Sequence, residues 1–304
     1  MALVVPCYHP QLVWQPPEGG PVLWGAERVG TRPVRLPCNS CLGCKQDYAQ
    51  SWAVRCYHES QMHVENCFVT LTYEGRVHFS LVYPDFQKFI KRLRKSLEVK
   101  SHDGSVVRPS VRYFAAGEYG SASGRPHFHA ALFGHSFPDR IRWGKSARGH
   151  LMYRSRKLEE LWPQGMSTVQ DFSIGSAFYT AKYAAKAVLD PARPVDVRTG
   201  EVAVREFVHM SNRPGLGARW LEKFHADVYR AGSGQVVLPG GRRVRAPRFY
   251  DELYSRTDFD SVDAFKDGRL VKALECADDS TPERLQVRET VAQAKRDFYN
   301  KEGL

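Results

Sequence analysis

The sequence predicts a mixed α+β fold, and two kinds of pattern lead to that prediction. Runs of β-branched and aromatic residues predict strands. Apolar residues that recur at three- and four-residue steps predict amphipathic helices. The 304-residue chain is 42% hydrophobic and 25% charged, which is typical of a globular protein with a sizeable core.

The first segment is expected to be an extended arm that leads into a helix. Residues 1–37 are rich in Pro and Gly and show no periodicity, which indicates turns rather than regular structure. The stretch from Asp47 to Met62 carries Tyr48, Trp52 and Cys56 at helical spacing, so a helix is expected there.

The segments that follow alternate between strand and helix. Strands are expected at Cys67–Tyr73, Val111–Ala116, His127–Phe133 and Thr168–Phe172. Helices are expected after Pro84 and at Leu158–Trp162, Ser176–Leu189 and Leu216–Tyr229. A loop from Gly117 to Pro126 is expected to join the second and third strands as a hairpin. The last 40 residues combine charges at helical spacing, and we expect them to be exposed.

Positive charge is concentrated in short stretches of the chain. There are 44 Lys and Arg residues against 33 Asp and Glu residues, a net charge of +11. Residues 86–112 carry eight basic and two acidic side chains, and residues 140–157 carry seven basic and no acidic ones. Such clustering indicates a nucleic-acid partner, and the alternative is a solubilising surface. The candidate DNA-binding residues are Lys88, Lys91, Arg92, Lys95, Arg140, Arg142, Lys145 and Arg148.

The hydrophobic pattern argues against a membrane protein. No run approaches the roughly 18 apolar residues that a membrane-spanning helix needs. The apolar stretch at residues 1–7 has no basic region and is too short for a signal peptide. We therefore expect a soluble intracellular protein with no membrane partner.

Three of the seven cysteines have a spacing that is typical of metal ligands. Cys38, Cys41 and Cys44 are separated by two residues each, so their thiolates can converge on one Zn²⁺. A structural zinc site needs a fourth ligand, and the candidates are Cys7, Cys56 and His9. We expect a zinc site that includes Cys7. Buried thiols without metal and an iron–sulfur cluster are the alternatives.

Two histidines are spaced to share one face of a strand. His127 and His129 stand two residues apart on a predicted strand, so both imidazoles point the same way and form a natural pair of metal ligands. Glu118 lies on the other arm of the same hairpin, and two histidines with one carboxylate suit a divalent ion. The alternatives are two incidental histidines on a half-exposed strand and a solvated loop carboxylate.

Two tyrosines recur on one face of a predicted helix. Tyr179 and Tyr183 are four residues apart, and Lys182 and Lys186 each follow a tyrosine by three residues. A neighbouring cation favours the phenolate form, so a tyrosine flanked by lysine is a candidate covalent nucleophile. The alternative is a core helix whose tyrosines pack while the lysine stems lie along its surface.

Four motifs follow one another along the chain. They are Cys67-Phe-Val-Thr-Leu-Thr-Tyr73, Arg125-Pro-His-Phe-His-Ala-Ala-Leu-Phe-Gly134, Tyr179-Thr-Ala-Lys-Tyr-Ala-Ala-Lys186 and Met210-Ser-Asn-Arg-Pro-Gly-Leu-Gly217. In this order they resemble the replication initiator proteins of microviruses, especially the gokushovirus-like members. Those proteins are endonucleases of the two-histidine, or HUH, superfamily. The resemblance covers about residues 36–255, and the ordered set is specific although each motif alone is not.

The resemblance implies the HUH endonuclease fold. In that fold an antiparallel sheet carries the histidine pair on a central strand, and helices cover the opposite face. It also implies three parts: an N-terminal arm with the cysteine cluster and a helix at residues 1–60, the nuclease domain at residues 61–255, and an exposed charged C-terminal tail at residues 256–304.

The resemblance further implies a rolling-circle replication initiator that nicks and rejoins single-stranded origin DNA. The histidine pair would bind Mg²⁺ or Mn²⁺, and a tyrosine would form a 5′-phosphotyrosine and free a 3′-hydroxyl. Tyr179 and Tyr183 would act in turn, with Lys182 and Lys186 on the phosphate oxygens. We expect the basic stretches to line the groove that leads DNA to the metal. A host helicase, a polymerase and the cytoplasm of a bacterial host complete the implied setting.

Two alternatives stay open at this point. A non-catalytic, zinc-containing protein that binds single-stranded nucleic acid explains the charge, cysteines and aromatic residues, but gives the tandem tyrosines no purpose. A single-tyrosine transposase or plasmid relaxase shares the metal site but needs no second tyrosine.

Overall fold

The structure is a computed structural model that describes most of the chain. The described residues are 7–18, 20–25, 27–75, 79–120, 124–146, 149–189, 195, 199–229 and 234–301. For residues 183, 184, 186–189, 270, 272 and 299–301 the description covers the backbone and not the side chain.

The described residues form the following elements. The strands are β1 (Gln11–Gln15), β2 (Arg32–Leu36), β3 (Asn66–Thr72), β4 (Val99–Lys100), β5 (Val106–Val107), β6 (Arg112–Tyr119), β7 (Pro126–Phe133), β8 (Ile141–Lys145), β9 (Leu151–Arg154), β10 (Ser167–Asp171), β11 (Phe207–Met210), β12 (Gln235–Leu238) and β13 (Arg242–Arg245). The helices are α1 (Leu42–Ser60), α2 (Tyr83–Ser96), α3 (Arg156–Leu161), α4 (Ile174–Leu189), α5 (Ala218–Tyr229), α6 (Arg248–Tyr254), α7 (Phe259–Glu275) and α8 (Pro282–Lys301).

A seven-stranded antiparallel sheet with flanking helices confirms the predicted α+β class. Its strand order is β11-β6-β7-β3-β10-β9-β8, so β7, which carries the histidine pair, lies between β6 and β3. The expected hairpin of β6 and β7 is present. Because β6 continues to Tyr119 and β7 begins at Pro126, the connecting loop is shorter than predicted.

Helices pack on both faces of this sheet. On the face away from the histidines, the far face, α2 and α3 cover the largest apolar cluster, and the rings of Phe86 and Phe128 lie 5.5 Å apart. On the other face, the histidine face, α1 and α4 pack beside His127 and His129. The expectation of helices on the opposite face is therefore incomplete. The small side chains of Ala177, Ala181 and Ala185 let α4 lie close to the sheet.

The N-terminal arm is more regular than expected. β1 and β2 pair as an antiparallel hairpin, in a segment whose sequence has no clear period. Helix α1 begins at Leu42, earlier than the predicted start at Asp47. The reason is a cap: the side chain of Cys41 accepts a hydrogen bond from the backbone N–H of Cys44, which stabilises the first turn.

The C-terminal segment folds into α6, α7 and α8. Val262 of α7 is buried in an apolar cluster with Val54 of α1 and Tyr250 of α6, so this segment packs on the rest of the chain. Glu289 of α8 lies 2.6 Å from His9 of the arm. The division of the chain at residues 60 and 255 stays a prediction. Within the described residues, no helix is both long and apolar enough to cross a membrane.

Candidate active site

Three potential metal ligands meet on the histidine face, at the hairpin end of β6 and β7. Glu118 is the register partner of His127, and His129 stands two residues further along β7, so all three side chains project from one face. Glu118 Oε1 lies 2.6 Å from His127 Nε2 and 2.7 Å from His129 Nε2. Glu118 therefore belongs to strand β6 rather than to the connecting loop.

The two imidazoles are held so that the same nitrogen faces the carboxylate. His127 Nδ1 lies 3.0 Å from the carbonyl oxygen of Arg125, and His129 Nδ1 lies 3.0 Å from the hydroxyl of Thr70 on β3. The rings are nearly perpendicular, with centroids 4.9 Å apart. Because a partner occupies Nδ1 in both residues, Nε2 is the nitrogen presented to the site, as in most proteins that bind metal through histidine.

The electrostatics of the three groups are coupled by burial. Burial alone would raise the pKa of the Glu118 carboxyl, but hydrogen bonds from His127 and His129 outweigh it and hold that pKa below its ordinary value. Burial lowers the pKa of His129, which favours the neutral imidazole. For His127 the effect of burial is overcome by Glu118 and the Arg125 carbonyl, so its pKa is raised.

The donor set fits a divalent cation. The carboxylate oxygen and the two imidazole nitrogens all lie within 4.8 Å of one another, and Glu118 and His129 are buried. Two nitrogens and one oxygen on one side of an ion leave positions open on its other side. An ion such as Mn²⁺ held there can also accept oxygens from a second molecule.

Tyr179 lies directly against this cluster. Its hydroxyl is 3.5 Å from His129 Nε2, and its ring meets the His129 ring edge to face with centroids 5.1 Å apart. Phe68 of β3 stacks on His129 at 5.6 Å and meets Tyr179 edge to face at 6.3 Å. Helix α4 thus brings one of the two predicted tyrosines to the predicted ligands.

The rest of the tyrosine–lysine motif follows along α4. Lys182 is exposed, one turn beyond Tyr179. Tyr183 and Lys186 belong to the same helix, and their side chains lie outside the described part of the structure. The roles predicted for these three residues stay predictions.

Helix α2 carries four of the predicted DNA-binding residues and packs on the far face. Lys88, Lys91 and Lys95 are exposed on its outer side, with the sheet between them and the histidines. Arg92 donates two hydrogen bonds to the carbonyl oxygen of Leu161, at 2.9 and 2.7 Å, and so anchors the end of α3. The expectation that this helix lines a groove leading to the histidines is wrong, because helical periodicity identifies an outer face but not which side of the sheet it covers. Contact with DNA elsewhere stays a prediction.

The second basic stretch also turns toward the far face. The Arg140 guanidinium lies 2.6 Å from the Asp171 carboxylate and 4.6 Å from the centre of the Tyr153 ring, which packs on the far-face core. Arg142 is the register partner of Tyr153 and shares its side of the sheet. Neither arginine lines a path to the histidines. The two other predicted residues of this stretch are Lys145, which is exposed at the end of β8, and Arg148, which lies outside the described residues.

The four predicted zinc ligands come together where the arm meets α1. The sulfur atoms of Cys7, Cys38, Cys41 and Cys44 lie within 4.8 Å of one another, and all four cysteines are free thiols. The sulfurs of Cys38 and Cys44 are 4.0 Å apart. Four sulfurs around a tetrahedral zinc with bonds of about 2.3 Å stand at a similar separation, so the arrangement fits that ion.

Backbone amides point at these sulfurs. The N–H of Cys38 donates to Cys7 Sγ at 3.2 Å, and the N–H of Cys41 donates to Cys38 Sγ at 3.3 Å. Burial would raise the pKa of the Cys38 thiol, but hydrogen bonds from Ser40 and Cys41 lower it to about 6. The other candidate ligands are elsewhere, since Cys56 is fully buried in the histidine-face core and His9 pairs with Glu289.

Two residues of the site were not identified from the sequence. Thr70 and Phe68 both lie on β3, where they contact His129 through its Nδ1 atom and its ring face. The period-two pattern places them on one face of a strand, and the pairing of β3 with β7 then sets Thr70 opposite His129. That pairing was the missing information.

The chain is similar in sequence to known replication proteins. A family model that describes replication-associated proteins of the ORF2 type matches residues 66–188, the region that holds the candidate ligands and the tyrosine helix. The chain is 30% identical over 241 residues to the replication-associated protein VP4 of Bdellovibrio phage phiMH2K, covering 78% of this chain and 73% of that protein. No solved structure matches.

Two further relatives have similar names. The chain is 30% identical over 230 residues to the replication-associated protein ORF2 of Spiroplasma virus 4, covering 73% of this chain and 68% of that one. It is 34% identical over 225 residues to the replication-associated protein ORF4 of Chlamydia phage 1, covering 72% of this chain and 53% of the relative.

Proposed function

Because this chain belongs to the family of phage replication-associated proteins, we propose that it starts phage DNA replication by nicking single-stranded origin DNA. A tyrosine of α4 becomes covalently joined to the cut strand, and a second transfer rejoins the completed circle. The family membership supports the role in replication. The chemistry of the cut rests on the site described above.

One observation carries the proposal. The Tyr179 hydroxyl lies 3.5 Å from His129 Nε2, the same nitrogen that faces Glu118 at 2.7 Å. A phosphate group located beside the three ligands is then within reach of the phenol oxygen. A core tyrosine with a purely structural role has no reason to end at a cluster of two imidazoles and a carboxylate.

The residues divide the reaction between them. A divalent ion held by Glu118, His127 and His129 supplies Lewis-acid polarisation of the scissile phosphate when it is bound. Phe68 limits the motion of the Tyr179 ring and keeps the nucleophile in place, which is the main requirement of an in-line displacement. The phenol oxygen bonds to phosphorus as the bond to the 3′ oxygen breaks. The phenol loses one proton and the 3′ oxygen gains one, which leaves a 5′-phosphotyrosine and a 3′-hydroxyl.

A second tyrosine allows a second transfer by the same chain. Tyr183 is four residues beyond Tyr179 on α4, about 6 Å along the helix axis and on the same side. It would cut the strand when one round of replication is complete, and the freed 3′-hydroxyl would then attack the first phosphotyrosine. Lys182 and Lys186 would contact phosphate oxygens during these steps.

The predicted zinc site and partners follow from the same proposal. Cys7, Cys38, Cys41 and Cys44 would hold a structural Zn²⁺ that fixes the arm to the first turn of α1. The partners would be origin DNA and, in the cytoplasm of the host, a helicase and a polymerase that extends the freed 3′-hydroxyl.

The test is covalent capture. The purified chain is incubated with Mn²⁺ and the single-stranded genome of its phage, and the products are separated on a denaturing gel. We expect a protein–DNA adduct, with Tyr179 or Tyr183 identified as the attachment residue by mass spectrometry. Tyr179→Phe combined with Tyr183→Phe should abolish the adduct and leave DNA binding nearly intact.

The control is Tyr153→Phe, because Tyr153 packs on the far face and should not affect the adduct. An adduct that persists in the double variant would mean that another residue is the nucleophile. If the unaltered chain binds the DNA but forms no adduct with Mn²⁺, the chain is a non-catalytic nucleic-acid-binding protein.

A further inference from the structure

A groove opens on the histidine face next to Tyr179. It has a volume of about 900 Å³ and extends from His129 across β3 and β10 to the hairpin of β8 and β9. Thr70 and Thr168 are register partners in its floor, and Gln170 stands two residues further along β10. The volume lies within the range of pockets that bind organic ligands.

The groove offers little to a phosphate group. Among the described residues that line it there is no lysine or arginine. Its acidic residue, Asp171, is ion-paired with Arg140 at 2.6 Å. At the start of α4, Ser173 and Ser176 each accept a hydrogen bond from the other's backbone N–H, at 3.1 and 2.9 Å, so these two amides already have partners. The positive charge of the chain is concentrated elsewhere.

The same groove suits nucleobases. Trp143 borders it, and 52% of this side chain is exposed. The register of β8 and β9 shifts between Arg142 and Gly144, a bulge of the kind that redirects a side chain. An exposed indole is a platform on which a base stacks. The hydroxyl of Thr168 and the amide of Gln170 offer both donors and acceptors to the edges of bases.

Building on the proposed function, we propose that this groove binds the unpaired bases next to the scissile phosphate. Trp143 stacks on a base, and Gln170 and Thr168 contact base edges. The sugar–phosphate backbone runs along the open side of the groove, where it reaches the ligands at His129. Sequence preference then comes from β3, β10 and the β8–β9 hairpin, and not from the basic helix α2.

The test separates base binding from backbone binding. Affinity is measured with EDTA present, by fluorescence anisotropy, for an oligothymidine and for an abasic strand of equal length and charge. The unaltered chain should bind the oligothymidine about tenfold more tightly, because stacking on an aromatic side chain is worth about 1–3 kcal/mol per base and about 1.4 kcal/mol is tenfold. Trp143→Ala should remove most of that difference and leave affinity for the abasic strand unchanged.

Two variants control for other effects of the substitution. Trp24→Ala removes an indole that is 62% exposed in the N-terminal arm, away from the groove, and should bind both strands normally. Trp143→Phe keeps an aromatic ring and should retain most of the base-dependent affinity. Gln170→Ala should change the order of affinity among oligomers of adenosine, cytidine and thymidine. Thermal melting confirms that each variant is folded.

The outcomes distinguish this proposal from the function on which it rests. If Trp143→Ala binds both strands as the unaltered chain does, or weakens both equally, the groove does not bind bases. Adduct formation together with that result would retain the nuclease and refute the groove alone. Base-dependent binding lost in Trp143→Ala, without any adduct in the Mn²⁺ assay, would retain the groove and refute the nuclease.

Discussion

Replacing Thr70 with valine should weaken divalent-ion binding at the three ligands about 10- to 100-fold, while the chain stays folded. Thr70 lies on β3, opposite His129 in the sheet, and its hydroxyl is 3.0 Å from His129 Nδ1. When the ring donates its Nδ1–H to this hydroxyl, Nε2 keeps a free lone pair for the ion. Valine has nearly the same shape as threonine but cannot accept that hydrogen bond.

The size of the effect follows from burial. His129 is 7% exposed and Phe68 covers its ring, so water cannot replace the lost hydroxyl. A buried donor left without a partner costs about 1–3 kcal/mol. That cost shifts the imidazole toward tautomers and orientations in which Nε2 no longer faces Glu118. At about 1.4 kcal/mol for each factor of ten, the loss agrees with the expected fall in affinity.

Titration calorimetry with Mn²⁺ measures this affinity directly, without DNA or turnover. Thr72→Val is the matched control, because Thr72 lies on the same strand and face but donates its hydroxyl to the Met166 carbonyl at 2.8 Å. It should bind Mn²⁺ normally. Thr70→Ser restores a hydroxyl and should recover most of the affinity. Equal Mn²⁺ affinity in Thr70→Val and the unaltered chain would show that this hydroxyl does not orient His129.

Three further outcomes are expected. Glu59→Gln should destabilise the fold by about 3–5 kcal/mol in chemical denaturation, because it leaves the buried Arg112, 2.6 Å away, without its counter-ion; a loss below about 1 kcal/mol would contradict the role of this pair. Elemental analysis should find about one zinc per folded chain and much less in Cys44→Ser, and metal-free folded protein would exclude a structural zinc. Lys88→Gln with Lys91→Gln should flatten the dependence of log affinity on log salt by about 0.7 per lost contact, whereas an unchanged slope would make these lysines a solubilising surface.

The elements of the fold that the sequence predicted have strong local periods. The strands around Val69 and Ala130 and the helix around Ile90 show their periods within seven to fourteen residues, and only their ends differ from the prediction. β8, β9 and β11 were not predicted. They are four or five residues long, and their pairing with distant strands, rather than their composition, makes them part of the sheet.

The candidate site shows the same division between local and distant information. Spacing alone predicted that His127 and His129 share a face, and the hairpin put Glu118 on the neighbouring arm. It could not show that Thr70 reaches His129, since that contact depends on the register of two strands separated by about 60 residues. Nor could it show on which side of the sheet α2 packs. Both faces of β3 and β7 accept a helix, and the large aromatic residues of α2 select the far one.

The edge hairpin of β8 and β9 joins the two kinds of DNA contact that the sheet otherwise separates. Arg142 lies toward the far face, while Trp143, the next residue, borders the groove on the histidine face. Alternation along the strand puts these two side chains on opposite sides, and the bulge leaves Trp143 without a register partner, so its indole can lean over the groove. A strand whose phosphates follow the exposed arginines and lysines of the far side therefore has to pass this edge before its bases enter the groove. The order of contacts along the DNA is then fixed by the sheet: basic side chains first, Trp143 at the edge, the hydroxyl and amide groups of β10 next, and the ligands beside Tyr179 last.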